Sequence, residues 1–381
     1  KTSEPNFKKW NDILLSELEK AEEIFNNLKG DGLSTSADSV IYRIKEDDIQ
    51  HSFLTYAKER TQILYDRGSF RNYKKYNGFC NKLESFLTDR HGKVRDLTFA
   101  ELTPALLSKF EAHLHTLKNE RVSDKKLHPN TIAILFNIFK TLINRATKIE
   151  KYMKHDDNPF HTFQYSRVKT MKEKLNEAEI GAITTLSLTE GSLQWHCRNY
   201  FLFSFYCAGI RAGDLIQLRW GNRTSEGRLE YEMGKNHKYK DILLVPQALD
   251  ILFLYRKEDS NPNDYIFPLL DSSASYAKAV TQEQKDTLSA DMKVKLFNQI
   301  STKNALINKY LKQVAKQAGI TKNVSFHIAR HSFGRIAKIK NIDNGILKNL
   351  FAHSSIKITE AYMGDFDTEQ TDKAFMSIFN G

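Results

Sequence analysis

The sequence predicts a mainly α fold with a small antiparallel β-sheet: a helical domain followed by a domain of mixed α/β structure. Three observations predict it. Apolar residues recur at helical spacing through most of residues 51–160. Between Arg228 and Val245 the apolar period changes to two, the mark of paired strands. Between these regions, His155-Asp-Asp-Asn-Pro159 breaks the helical run, and the segment to about Thr170 reads as an inter-domain linker. The expected division is 1–50, an N-terminal helix and linker; 51–160, a helical domain; and 161–381, a mixed domain ending in a short tail.

Taken in order, Trp10, Ile13, Leu14, Leu18, Ala21, Ile24, Phe25 and Leu28 define a first helix that Gly30 and Gly32 end, since glycine terminates helices at little cost. Phe53 to Tyr65 is a second helix. Ser69 opens a third, running to Phe86 or Leu87. Thr103-Pro104 opens a fourth through Leu107, Phe110 and Leu114, proline being tolerated in a first turn. Lys118 to Lys126 reads as a charged connector. Pro129-Asn130-Thr131 then starts a fifth helix carrying Ile132, Leu135, Phe136, Phe139, Leu142, Ile143 and Ala146. In the mixed domain, Leu175 to Ile180 begins a helix. Tyr200 to Ala208 is apolar on every side, hence buried, and Gly209 ends it. Leu229, Tyr231 and Met233 alternate with polar residues, and Ile242 to Val245 returns, so Gly234 to Asp241 is the basic turn of a hairpin. Ala248 to Tyr255 is helical. Asp271 to Asn298 is a polar excursion, partly helical. Asn304 to Ala318 is a helix ending at Gly319, and Phe375, Ile378 and Phe379 form a small apolar stripe at the end.

Composition limits the partners. The chain has 381 residues, a net charge of +11 and 11% aromatic residues. The aromatic content excludes a disordered basic tail, and a basic globular chain points first to nucleic acid. Arg71, Lys74, Lys75, Lys140, Arg145 and Lys148 fall on polar helix faces, where a solvated surface and a phosphate-facing one are the competing readings. Cys80, Cys197 and Cys207 form no C-x-x-C pair, which fits a reducing, cytoplasmic setting. No apolar run approaches the roughly 18 residues of a membrane span, and no signal peptide is visible. A start at Lys1 without methionine gives the expectation of a fragment.

The stretch Ser325 to Gly364 carries the chemistry. His327, Arg330 and His331 stand at i, i+3 and i+4, on one helix face. His353 and Tyr362 follow nine residues apart. Arg and His hold phosphates, and Tyr is a candidate nucleophile. Upstream, Gly209-Ile-Arg211-Ala-Gly-Asp214 places a guanidinium at the mouth of the buried helix, where a structural pair with Asp214 is the competing reading. Lys235 follows the hairpin glycine, with Lys238 and Lys240 close behind.

The order Arg211, Lys235, His327-x-x-Arg330-His331, His353, Tyr362 resembles the tyrosine recombinases, or phage integrases. The motifs GIRAGDLIQL, GKNHKYKDILLVP, FHIARHSFGRIA and AHSSIKITEAYMG carry the likeness. The helical half is similar to the core-binding domain of that family, and the first 50 residues to the end of an arm-binding region in integrases of Bacteroides-type mobile elements. Phe351-Ala352-His353 departs from the usual Leu-Gly-His. The resemblance implies a recombinase that cleaves and rejoins DNA through a 3′-phosphotyrosyl link. Tyr362 would be the nucleophile, Arg211 and Arg330 the phosphate clamp and His327 the aid to proton transfer. His353 would donate to the phosphate, and Lys235 would be the general acid, with His331 in support. It implies no metal and no nucleotide cofactor. The implied partners are double-stranded DNA at specific sites, a homo-tetramer on DNA from protomers that are monomers in solution, and accessory DNA-bending proteins. The implied location is the bacterial cytoplasm, at the nucleoid. A type IB topoisomerase and a non-catalytic DNA-binding regulator are the rival readings. Zinc at His327 and His331 lacks a third ligand in the sequence.

Overall fold

The computed structural model describes residues 7–30, 52–119, 122–170 and 173–352, with single positions at 37, 355, 356, 359, 360 and 376. The chain divides into two compact units, Lys1–Lys169 and Thr170–Gly381.

The first unit opens with α1 (Phe7–Gly30), whose Trp10, Leu14 and Leu18 are exposed. Next come α2 (Phe53–Asp66), α3 (Phe70–Leu87) and α4 (Pro104–Thr116). Their starts are encoded locally. Ser52 Oγ accepts from Thr55 N at 3.0 Å, and Thr103 Oγ1 accepts from Leu106 N at 3.2 Å, satisfying amides that a helix end leaves unpaired. The hairpin β1 (Lys118–Asn119) and β2 (Val122–Lys126) leads into α5 (Pro129–Arg145), which closes in a π-helical turn, Ala146–Glu150. The core is aromatic: Phe53 stacks on Phe139 at 4.8 Å, and Phe79 and Phe110 meet Phe139 at 5.2 and 6.0 Å. All four are essentially inaccessible to solvent.

Two expectations change here. Lys118–Lys126 is not merely a charged connector; Lys118 pairs with Lys126 and Asn119 with Val122 in antiparallel register. Backbone groups make that ladder, so it needs no apolar alternation to signal it. The segment after His155 is also no free linker. Phe160 and Phe163 are buried in the aromatic core, and Asn130 holds Val168 through two hydrogen bonds of 2.9 Å. The first unit accordingly continues to Lys169 rather than 160. Three aromatic anchors, Phe160, Phe163 and Tyr165, do this without any helical period.

The second unit is built on α7 (Leu193–Tyr206), preceded by α6 (Glu177–Thr185), which Asn176 and Glu179 cap reciprocally. A four-residue helix, α8 (Ala212–Leu215), follows α7. β3 (Arg228–Glu232) and β4 (Tyr239–Leu243) form the expected antiparallel hairpin, but β4 begins at Tyr239, inside the stretch expected to be turn, so that Lys240 stands opposite Tyr231 in the ladder. Then come α9 (Pro246–Phe253), α10 (Gln282–Asp286), α11 (Ala290–Gln317), α12 (Ile328–Ile339) and α13 (Asn344–Phe351). α7 packs against α6, α9, α11 and α12. It is central, so the run Tyr200–Ser204 is wholly buried.

The polar excursion at 271–298 is more ordered than its weak periodicity suggests. α11 starts at Ala290, capped by Ser289, fourteen residues before the expected Asn304. The segment leading to it is held by the buried Arg219, which donates to the carbonyls of Asn263 and Ala277 and lies 4.2 Å over the Tyr265 ring. Polar bonding substitutes for apolar patterning there.

Phe139→Ala removes the ring on which Phe53, Phe79 and Phe110 converge. It is expected to destabilise the helical unit by about 3–5 kcal/mol, read as a lower urea midpoint by tryptophan-independent far-UV circular dichroism.

Candidate active site

The site is assembled where α7 ends. Cys207 caps the helix, and the chain reverses through Ala208 and Gly209 with φ of 52° and 71°. Both are left-handed, a conformation glycine adopts freely and alanine adopts at a cost. Gly209 also lies against the start of α12: a Cβ there would fall 2.5 Å from Arg330 Cα and Cβ. This contact delivers two arginines to one place. Arg211, two residues beyond Gly209, is the N-cap of α8, and its Nη1 donates to Met233 Sδ at 3.2 Å. Arg330 sits in the first turn of α12. Its Nη1 donates to Gly209 O at 2.9 Å and its Nη2 to Phe351 O at 2.7 Å, with the guanidinium 4.3 Å over the Phe351 ring. At 1% exposure it is among the most buried large side chains of the chain.

The start of α12 is fixed by α11: Asn308 Oδ1 accepts from Phe326 N at 2.8 Å. Ser332 Oγ accepts from Leu175 N at 2.8 Å, fastening the segment that leads into α6 to the same helix. His327 is the N-cap residue of α12; one edge of the residue reaches solvent, while its ring packs edge to face on His331 at 4.9 Å. His331 is buried. Desolvation first, then the positive charge of His331, Arg330, Arg211 and Lys235, holds the His327 pKa below the ordinary imidazole value. The ring is therefore neutral at pH 7 and able to accept a proton.

Lys235 and Lys238 lie exposed in the turn between β3 and β4. The turn is fixed from below. Asp214 Oδ1 accepts from Gly234 N at 3.0 Å, and among the described residues no close ion pair joins Asp214 to Arg211, whose charge acts on it only at longer range. The competing reading of a structural Arg211–Asp214 pair thus gives way to a different one: the carboxylate holds the residue before Lys235. Asp214 is 8% exposed, and its Oδ2 has no hydrogen-bond partner among the described residues. Burial raises its pKa, against the pull of the Gly234 amide and of Arg211, Lys240 and Arg330.

Of the residues singled out in the sequence, Arg211, Lys235, His327 and Arg330 come together. His353, Tyr362 and, apart from Met376, the tail Thr371–Gly381 lie outside the described residues. In the helical unit, Arg71, Lys74 and Lys75 are exposed on one face of α3. Arg145 instead pairs with Glu150 at 2.9 Å. Sequence reasoning undervalued two groups, Asp214 and Lys240. The signal for Lys240 was present: it is in phase with the buried Ile242 of β4 and with Leu244 just beyond it. Among the described residues, no three His, Cys, Asp or Glu side chains are grouped to hold a metal ion.

Two family models match the chain. The phage integrase SAM-like domain matches residues 52–176, and the phage integrase family matches 173–369, a span holding every candidate from Arg211 to Tyr362. A tyrosine recombinase of Pseudothermotoga lettingae is 21% identical over 303 residues, covering 78% of this chain and 88% of that protein. One from Thermosipho africanus is 22% identical over 218 residues, covering 57% of this chain and 66% of that protein. In structure, the chain is similar to a lambda integrase dimer bound to a COC′ core site, with a TM-score of 0.57 and 14% identity, over 86% of this chain and 83% of that one. The chain belongs to the phage integrase family, the tyrosine recombinases, which are site-specific enzymes of DNA strand breakage and rejoining.

Two outcomes are expected. Gly209→Ala forces an L side chain into a left-handed turn and into the α12 backbone. It should destabilise the unit by more than the ~1–2 kcal/mol that the backbone conformation alone costs, read as a lower thermal midpoint. The His327 ring should titrate below the usual imidazole range, read from its Cε1–H chemical shift. Because the folded pKa is depressed, the unfolded chain binds the proton first. The stability contributed by neutral His327 is thus present above about pH 6.5 and is lost as pH falls toward its folded pKa.

Proposed function

We propose that this chain cleaves and rejoins DNA strands at specific sites, with Tyr362 as nucleophile and the cluster around α12 as the phosphate site. The observation that carries the reading is the convergence of Arg211, Lys235, His327 and Arg330 on the contact between the α7 end and α12. Attack on a phosphodiester adds negative charge to the non-bridging oxygens, and fixed cationic donors stabilise that charge. Arg211 and Arg330 supply donor forks of the right chemistry. A free tyrosine has a pKa of about 10, so Tyr362 requires a cationic site and a proton acceptor. Neutral His327 suits the second role.

In the proposed sequence, Tyr362 Oη forms a bond to phosphorus and gives up its proton with the help of His327. The P–O5′ bond breaks, and Lys235 donates a proton to the leaving 5′-oxygen. His353 donates a hydrogen bond to the phosphate. The 3′-phosphotyrosyl link retains the ester, and a 5′-hydroxyl from another strand reverses the step. Binding to duplex DNA would use the helical unit, chiefly through Arg71, Lys74 and Lys75 on one face of α3 and, on α5, Arg145 if it gives up its pair with Glu150. Exchange between two sites requires several protomers, for which the Thr371–Gly381 tail is the proposed contact and a tetramer the proposed state, with accessory DNA-bending proteins. The first 50 residues place the chain, in this proposal, with integrases of Bacteroides-type mobile elements acting at the bacterial nucleoid.

The test is a covalent-adduct assay on nicked suicide duplexes made from the DNA flanking the gene. Wild type is expected to become covalently attached, and Tyr362→Phe to bind the same DNA without attachment. A trapped adduct on the Phe variant would remove Tyr362 from the role. Attachment independent of DNA sequence would favour topoisomerase-like strand passage. Lys235→Ala should cleave poorly, and a 5′-bridging phosphorothiolate, whose sulfur leaves without a proton, should restore it.

A further inference from the structure

Lys240 is a lysine inside the catalytic unit. It is 3% exposed, and its Nζ donates to the Cys207 carbonyl at 3.1 Å. That carbonyl lies at the C-terminal end of α7, where helical carbonyls lack partners and the dipole is negative. The next residues are the left-handed pair Ala208 and Gly209. Gly209 O receives Arg330, and two residues later the chain releases Arg211. One ammonium thus ties β4 to the turn that orients both arginines.

The groups facing Lys240 come from every neighbouring element. Cys207 and Arg211 lie on the turn, Asp214 on α8, Tyr231 across the β-ladder and Arg330 on α12. Burial, then Arg330 and Arg211, lowers the Lys240 pKa to about 7, while Cys207 and Asp214 act in the opposite direction. Three cations so close together are costly until an anion joins them. A phosphate between the arginines favours the ammonium form and so tightens its hold on the α7 end.

We propose that Lys240 is a positioning residue of the strand-cleavage site: its ammonium holds the α7–α8 turn so that Arg211 and Arg330 converge on the phosphate. This rests on the reading of the unit as strand-cleaving. The exposed Lys235, not Lys240, remains the acid, since the Lys240 ammonium is turned inward to a backbone carbonyl.

The experiment uses the full chain and the nicked suicide duplex from the gene's flanks. Lys240→Met is expected to slow single-turnover attachment by about 10- to 100-fold at saturating DNA, the scale of a small misplacement of reacting groups, with DNA affinity within about twofold. In wild type, the rate at subsaturating DNA should decline as pH rises through about 7, as Lys240 loses its proton. That limb should vanish in Lys240→Met. It should vanish as well in Lys240→Gln, which keeps a donor for Cys207 but cannot titrate, and which replaces the Met variant if that one fails to fold. The phosphorothiolate should not rescue either variant. Amide exchange at 208–211 should accelerate in Lys240→Met. A variant that cleaves within twofold of wild type with the same pH profile overturns the proposal, and so does rescue by the phosphorothiolate, which would make Lys240 the acid. If wild type itself forms no adduct, the strand-cleavage reading fails, while unchanged exchange at 208–211 independently refutes the positioning role.

Discussion

The catalytic unit depends on the contact between the Ala208–Gly209 turn and the first turn of α12. Gly209 approaches the Arg330 backbone so closely that no side chain fits, and the same glycine's carbonyl receives the Arg330 guanidinium. A backbone carbonyl is a rigid acceptor, so Arg330 is held by the main chain of two separate segments, Gly209 and Phe351. An arginine locked in this way needs little reorganisation when charge develops nearby, which is what electrostatic preorganisation requires. Arg211 leaves the same turn two residues later, so one local geometry sets both guanidinium positions.

Gathering cations in a partly buried place has to be offset by something. Lys240 finds the negative end of α7, and Asp214 lies close enough to Arg211, Lys240 and Arg330 to feel all three charges. Asp214 does this without a direct ion pair to Arg211. Its hydrogen bond goes to Gly234, so its second task is to set the hairpin turn that carries Lys235. Burial works against the carboxylate and the surrounding cations work for it. The balance therefore links hairpin placement to the electrostatic state of the site.

The helical unit solves a different problem. Its core is filled by phenylalanine rings in tilted, edge-to-face and stacked contacts, and the segment to Tyr165 joins that core through Phe160 and Phe163. Its outer face on α3 carries Arg71, Lys74 and Lys75 at i, i+3 and i+4. Arg145 belongs to another arrangement, in which Glu150 on the π-helical turn binds it and also accepts from Tyr56 at 3.4 Å. That triad braces the end of α5, so charge alone does not equate Arg145 with the α3 cations.

The sequence by itself determined the helices of the first unit, the existence of the β3–β4 hairpin and the burial of α7, and its motif spacing singled out Arg211, Lys235, His327 and Arg330 as candidates. Helical and strand periods, capping residues and motif spacing are local, and local signals survive in a linear string. The β1–β2 pairing, the docking of Phe160 and Phe163, and the early start of α11 were not legible in that way. Each is held by contacts between distant residues or by backbone and polar bonds that leave no apolar period. Only the tertiary structure decided that Asp214 holds Gly234 rather than Arg211, and that Lys240 reaches Cys207. A side chain's partner is set by which elements the fold brings face to face, and across 20 to 33 residues of sequence separation no spacing rule fixes that.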